Sequence, residues 1–128
     1  AEMHPERRFI CQRTQEGPWR HVTYGEANDT ANSIASALLA KGMGQDTPLM
    51  ILSGNSIEHA LMMLGAMKAA VPVAPVSVPY SLMSSDHSKL KHVFSMVQPK
   101  MIFADSGAMT PRISPSPKRG LSFVLCTA

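Results

Sequence analysis

The sequence predicts an α/β fold with a mostly parallel sheet and flanking helices. Short apolar runs at residues 48–53, 71–76 and 101–104 are bounded by Gly, Pro, Asn or Ser, which is typical of buried strands. Helical patterns lie between these runs, and strands joined by a helix are expected to be parallel with a right-handed crossover. The strand, helix and strand of residues 48–77 therefore set the fold class.

Composition favours one globular domain. The chain has 128 residues, of which 45% are hydrophobic and 16% charged, and a domain of this size buries roughly two thirds of its unfolded surface. It contains no apolar run of 18 residues, so no membrane span is predicted. The start of the sequence is polar and charged, unlike a signal peptide. Cys11 and Cys126 lack metal or redox spacing, which favours a reduced cytoplasmic location over a disulfide between them.

The positive charge does not predict a nucleic-acid partner. The formal net charge is +3, but the basic residues are scattered and few aromatic residues lie among them. Arg7 and Arg8 lie near one end of the sequence, and Lys118 and Arg119 lie near the other. A nucleic-acid or dimerisation module that uses these ends is a rival class, and its affinity would fall steeply with salt.

The first 22 residues predict a β-hairpin. Residues 9–13 and 19–22 have strand character, and residues 15–18 have the composition of a turn. A helix follows, because Thr23 and Glu26 form a capping box and Gly42 is a stop signal. The spacing predicts one buried face, formed by Tyr24, Ala27, Ala31, Ile34 and Leu38.

The second helix is predicted between the first two apolar runs. Asn55 or Ser56 can cap it, and Glu58 complements the positive end of the helix dipole. Residues 60–67 leave almost no polar face, so the helix must be covered on most sides. Five methionines in apolar segments are expected in the core: Met50, Met62, Met63, Met67 and Met96.

A third helix is predicted from Asp86 to Pro99, with one apolar stripe. The α/β core then spans residues 23–107 and ends in a turn at 105–107. Residues 108–120 contain prolines and basic residues, which indicates an exposed loop, and residues 121–126 predict a last strand. The apolar stripe of the third helix consists of Leu90, Val93, Phe94 and Val97.

Four stretches of the sequence resemble the AMP-forming adenylating enzymes, which include the acyl-CoA synthetases. They are VTYGEA (22–27), ALLAKGMGQ (37–45), ILSGNSIEHALMMLGAMKAAVPVAPVS (51–77) and MIFADSG (101–107), in the family's order and spacing. Residues 53–60 and 73–92 are most similar to the feruloyl-CoA synthetase branch. Pro72 and Val78 depart from the pattern that the resemblance leads us to expect.

The resemblance implies that residues 1–128 are an incomplete N-terminal subdomain of an acid–CoA ligase. Such a ligase uses ATP and Mg2+ to activate a carboxylic acid, such as the aromatic acid ferulate, and transfers the acyl group to CoA. The family's Ser/Thr/Gly-rich loop ending in lysine has no counterpart here, since SGNS (53–56) lacks the lysine. We therefore expect the catalytic and metal-binding residues outside this chain, no cofactor bound to it, and no activity from it alone.

Candidate binding residues lie after the predicted strands. The carboxyl ends of parallel strands share one sheet edge, so loops 53–56, 77–80 and 105–107 should lie together. The candidates for cofactor binding are Ser53, Asn55, Ser56 and Tyr80. Helix capping explains Asn55 and Ser56 better than an anion does, and a packed loop aromatic explains Tyr80 better than a substrate channel.

The remaining expectations concern histidines, association and a rival fold. The histidine spacing predicts no metal site, and His59 is expected at the surface or its boundary. Apolar surface that the rest of a larger enzyme would cover predicts self-association. The alternative is a stand-alone flavodoxin-like α/β binding or regulatory module, which would have a sheet covered on both faces.

Overall fold

The computed structural model describes residues 2–13, 17–79, 86–104 and 122–125. Two strands and a long helix precede a series in which strands and helices alternate. The elements are β1 (Arg8–Arg13), β2 (Trp19–Thr23), α1 (Tyr24–Ala40), β3 (Leu49–Leu52), α2 (Ile57–Lys68), β4 (Val73–Pro75), α3 (Ser88–Val97), β5 (Met101–Ala104) and β6 (Ser122–Leu125).

The main sheet has the strand order β4-β3-β5-β6, and all its neighbouring strands are parallel. β1 and β2 form a separate antiparallel hairpin. The predicted α/β class, the parallel sheet and the N-terminal hairpin are therefore confirmed. β4 is shorter than the predicted run 71–76, which contains two prolines that cannot donate ladder hydrogen bonds.

The two faces of the sheet are covered by different helices. Leu49 and Ile51 of β3 belong to a cluster that includes side chains of α1 and α2. Met50 and Leu52 alternate with them and contact the cluster formed with α3. The connection from β3 to β4 therefore crosses one face, and the connection from β4 to β5 returns across the other. Strand order reverses between β3 and β5, where ligands collect in open α/β sheets.

Helix α1 begins and ends as its sequence predicts. The Glu26 carboxylate accepts a hydrogen bond from Thr23 N (2.9 Å), and Thr23 Oγ1 accepts one from Glu26 N (3.2 Å), which completes the capping box. At the other end, Gly42 has a φ of 69° and Met43 N donates to Leu38 O (3.0 Å). This is the Schellman arrangement, in which a left-handed residue closes the helix.

Helix α2 packs directly against α1 and ends in the same way. Gly65 lies against α1, so that a β-carbon added there would be 2.5 Å from Cβ of Ile34. At the end of α2, Ala70 has a φ of 54° and Val71 N donates to Ala66 O (2.9 Å). The left-handed position is thus occupied by alanine, although it favours glycine.

The third helix begins at Ser88, not at Asp86. His87 has a left-handed φ of 53°, and Asp86 Oδ1 accepts a hydrogen bond from Ser88 N (3.2 Å). Asp86 therefore caps α3 from outside the helix. The start is shifted because the side chain of Asp86 turns the chain before helical geometry begins.

Three predicted core positions are exposed. Met67 and Met96 are 66% and 71% exposed, and Tyr24 is 40% exposed, with its ring against that of Phe9 (centroids 4.7 Å apart). Met67 lies on the side of α2 away from its buried residues, Tyr24 lies in the first turn of α1, and Met96 is not part of the apolar stripe of α3. Met50 and Met62 are buried as predicted. Because these apolar side chains are exposed, self-association of the chain stays a prediction.

Several predictions fall outside the described residues. These are Tyr80, the turn 105–107, the loop 108–120 and Cys126, whereas Cys11 is an exposed free cysteine. In the part of the chain that the structure describes, no helix combines the length and hydrophobicity needed to cross a membrane.

Candidate binding cleft

A cleft of about 490 Å³ lies at the carboxyl ends of β3 and β4. The two loops that follow these strands meet here because Val76 N donates a hydrogen bond to Ile51 O (2.9 Å) beyond the last paired residues of β4. One side of the cleft is polar and the other is rich in proline and valine. Its lining consists of Ser53, Asn55, His59, Pro75, Val76, Ser77, Val78 and Pro79. The prediction that loops 53–56 and 77–80 share a sheet edge is thus confirmed as far as residue 79.

The polar side of the cleft is organised by a Ser–His pair. Ser53 follows β3 directly and is only 4% exposed, and its Oγ lies 2.7 Å from Nδ1 of His59. The pair satisfies a buried hydroxyl and fixes the imidazole ring, which lines the cleft. The sequence predicted a surface or boundary position for His59, and the pair was missed. The sequence signal that could have predicted the pair is a strand end followed by a turn and a helix start, because this geometry brings the side chains of residues 53 and 59 together.

The start of α2 is capped by protein groups. Ser56 Oγ accepts a hydrogen bond from His59 N (3.1 Å), so Ser56 is the N-cap, and Asn55 is an exposed residue of the cleft. The amide of Ile57 donates to Oε1 of Gln12 (3.0 Å), which comes from β1. A helix start binds anions through free amide groups. With two first-turn amides already bonded, capping explains this position, as the sequence favoured.

The cleft contains no side chain with a fixed charge among the described residues that line it. Acidic and basic groups lie close by, since Glu58 of α2 forms an ion pair with Arg20 of β2, but these two face each other outside the lining set. The described residues also contain no group of three His, Cys, Asp or Glu side chains that could hold a metal ion. The cleft can therefore offer hydrogen-bonding groups and apolar contacts.

The predicted binding residues have different positions in this geometry. Ser53 and Asn55 line the cleft, whereas Ser56 serves the helix backbone. Tyr80 lies outside the described residues. His59 lines the cleft but was not predicted as a binding residue, and Ser77 belongs to the predicted loop 77–80 but was not singled out.

The chain is similar in sequence to parts of large synthases and peptide synthetases. It is 34% identical over 61 residues to tyrocidine synthase 1 of Brevibacillus parabrevis, covering 48% of this chain and 6% of that protein. It is also 33% identical over 57 residues to the nonribosomal peptide synthetase sirP of Leptosphaeria maculans, covering 44% of this chain and 3% of that protein. The chain thus spans a small fraction of these relatives.

The fold and the family agree with this similarity. The fatty acid AMP ligase from Legionella pneumophila superposes with a TM-score of 0.77 at 15% identity, over 95% of this chain and 21% of that one. At this identity the superposition shows a shared fold. A family model described as AMP-binding enzyme matches residues 1–124. The chain therefore belongs to the AMP-binding enzyme family.

Proposed function

We propose that this chain is the N-terminal part of an ATP-dependent, AMP-forming acid–CoA ligase. The whole enzyme activates a carboxylic acid as an acyl adenylate and transfers the acyl group to CoA. The observation that carries the proposal is the family match over residues 1–124. It favours a ligase over a stand-alone flavodoxin-like module.

The proposed substrate is an aromatic acid such as ferulate. The support is the resemblance of residues 53–60 and 73–92 to the feruloyl-CoA synthetase branch. The similar proteins are of different kinds, since one is a fatty acid AMP ligase and another is a nonribosomal peptide synthetase. The substrate panel of the experiment below therefore includes aromatic acids, fatty acids and amino acids.

The described lining of the cleft does not fit the triphosphate of ATP. Displacing pyrophosphate requires preorganised donors and cations around several negative charges. The described lining of the cleft has no fixed positive charge, and two amides at the start of α2 are bonded to Ser56 and Gln12. We propose that the residues that handle ATP and Mg2+ lie elsewhere in a cytoplasmic parent polypeptide, and that the 128-residue chain alone is inactive.

Within this function, the cleft is a proposed binding surface for a neutral part of a ligand. Ser53 holds the ring of His59, and Asn55 offers an exposed amide at the cleft. Pro75 and Val76 supply the apolar side. Tyr80 follows the cleft in sequence and is a further proposed contact.

Acid-dependent exchange of pyrophosphate into ATP tests this function. The full parent polypeptide should catalyse exchange with ferulate and, on addition of CoA, form the thioester. The same assay with a fatty acid and with amino acids is the comparison. The 128-residue chain, assayed in parallel, should give no exchange.

Three results would contradict parts of the proposal. Exchange by the 128-residue chain would show that it holds its own ATP site. Exchange with amino acids but not with ferulate would replace the aromatic acid by the building blocks of a peptide synthetase. A folded parent polypeptide with no exchange for any acid would overturn the ligase function itself.

A further inference from the structure

The β1–β2 hairpin contacts the first turn of α2 in three ways. Gln12 Oε1 accepts a hydrogen bond from the amide of Ile57 (3.0 Å), across 45 positions of sequence. Arg20 forms an ion pair with Glu58. The fully buried side chain of Ile57 also belongs to an apolar cluster that the hairpin joins through Ile10 and Val22.

The same helical turn carries the cleft histidine. Ile57 and His59 are the first and third residues of α2, and His59 Nδ1 is bonded to the buried hydroxyl of Ser53. A displacement of this turn would therefore change the position of the imidazole ring at the cleft. The hairpin is therefore in a position to control that ring through the first turn of α2.

We propose that Gln12 is a positioning residue for the cleft. Its side-chain oxygen fixes the first turn of α2, and the turn fixes the His59 ring against Ser53. The inference rests on the proposed function only for the use of the cleft in ligand binding. The contacts that carry it belong to the chain itself.

Apolar packing alone would not give this precision. The cluster around Ile57 is held by non-directional contacts, which tolerate small shifts of a helix along its axis. A hydrogen bond weakens steeply when its distance or angle changes, so it selects one register. Ser56 Oγ accepts from the His59 amide, so the side-chain cap does not take over the role of Gln12 at Ile57.

Two substitutions of nearly equal size separate positioning from packing. Gln12→Met keeps the length of the side chain but removes the acceptor oxygen, and Gln12→Glu keeps an acceptor oxygen. NMR of the 128-residue chain then follows the ring nitrogens of the histidines and the exchange rate of the Ile57 amide. His92 of α3 is the internal control, since it lies in another helix.

In Gln12→Met we expect the ring-nitrogen signals of His59 to move and those of His92 to stay. The Ile57 amide should exchange about 2- to 10-fold faster, the range that corresponds to losing one ordinary hydrogen bond. Gln12→Glu should keep both observables near those of the wild type. If the acceptor oxygen of Gln12→Glu preserves both observables, the effect comes from the hydrogen bond and not from the volume of the side chain.

Unchanged His59 signals in Gln12→Met, with only a lower melting temperature, would overturn the proposal, as would equal perturbation by Gln12→Glu. If the methionine variant does not fold, the wild-type chain still tests whether the contact between Gln12 and Ile57 exists. A scalar coupling through the hydrogen bond between Ile57 N and Gln12 Cδ must be present, and its absence would refute the contact. None of these measurements uses ATP or an acid, so their failure and failure of the ligase function are separate results.

Discussion

Helices α1 and α2 lie against each other but are delimited in different ways. α1 begins with the local pair Thr23 and Glu26 and ends at Gly42. α2 begins with Ser56, yet its first amide is bonded to Gln12 from the hairpin, and it ends at the left-handed Ala70. α1 is therefore delimited by local signals, whereas α2 adds to its local Ser56 cap a hydrogen bond from a distant strand and ends without a glycine.

The difference follows from what surrounds each helix. α2 packs against α1 and shares an apolar cluster with the sheet, and its buried residues include Ile57, Gly65 and Ala66. Val71 after its end is 3% exposed and belongs to the main apolar cluster, so burial directs the chain into β4. The free energy of this burial can compensate the strain of a left-handed alanine, which is roughly 1–2 kcal/mol.

The contact between the two helices offers the strongest test of their coupling. In Gly65→Ala the new methyl group would lie 2.5 Å from Cβ of Ile34 and 3.2 Å from the backbone oxygen of Ala31. Because the neighbours must move, we expect the free energy of unfolding to fall by about 1–3 kcal/mol, despite the better helix propensity of alanine. Urea denaturation of the variant measures this loss.

Gly44→Ala is the matched control for that experiment. A β-carbon at Gly44 has no atom within 4 Å, and Gly44 does not have a positive φ. Its effect should stay within about 0.5 kcal/mol, as for other surface substitutions. Adding Ile34→Ala to Gly65→Ala should recover part of the lost stability relative to the sum of the single effects. Strict additivity would show that the two side chains do not meet.

The sequence was sufficient for the elements that are delimited locally. Every described strand and helix was predicted, and the capping box and Gly42 placed α1 correctly. The start of α3 was placed two residues early because the side chain of Asp86 bonds the amide of Ser88. The exposure of Met67 and Met96 was missed because an apolar residue inside a helix can still lie off the buried face of that helix.

The candidate site was only partly predictable for the same reason. The topology rule placed loops 53–56 and 77–80 at one sheet edge, which holds as far as residue 79, and Ser53 and Asn55 do line the cleft. The bond from Ser53 to His59 requires the geometry of the turn between β3 and α2. The contact of Gln12 with Ile57 crosses two elements, and no local pattern encodes it.

The two helix ends allow a reciprocal exchange of residues. Gly42→Ala places a side chain at a φ of 69°, where the nearest atom to the new methyl group would be Lys100 Nζ at 3.7 Å, so the cost is backbone strain. We expect a loss of about 1–2 kcal/mol. Ala70→Gly relieves the same strain at an exposed position and should stabilise the chain by about 0.5–1 kcal/mol after the entropy of glycine is subtracted.

Thermal unfolding of the two variants decides whether Ala70 is strained. Opposite signs would confirm that both ends use the left-handed residue in the same way. A loss of stability in both variants would show that the surroundings of α2 make alanine the better residue at its end. The doubly exchanged chain should lie near the sum of the two effects, since additivity is expected for sites without shared partners.

The smallest expected effect concerns Glu26, the carboxylate of the capping box at the start of α1. Hydrogen bonds from the backbone and then the side chain of Thr23 to the carboxylate lower the pKa of Glu26 from its ordinary value of 4.5. A lowered folded-state pKa stabilises the native state above the unfolded-state value, and this contribution is lost as the pH falls through the folded-state pKa.

Glu26→Gln removes the charge and keeps one acceptor. We expect the wild type to be slightly more stable than this variant near neutral pH and the difference to disappear in acid, which denaturation at several pH values would measure. Because the α1 cap is local, the exchange rate of the Ile57 amide should not respond to Glu26→Gln, and a matching change there would mean that the starts of the two helices are coupled.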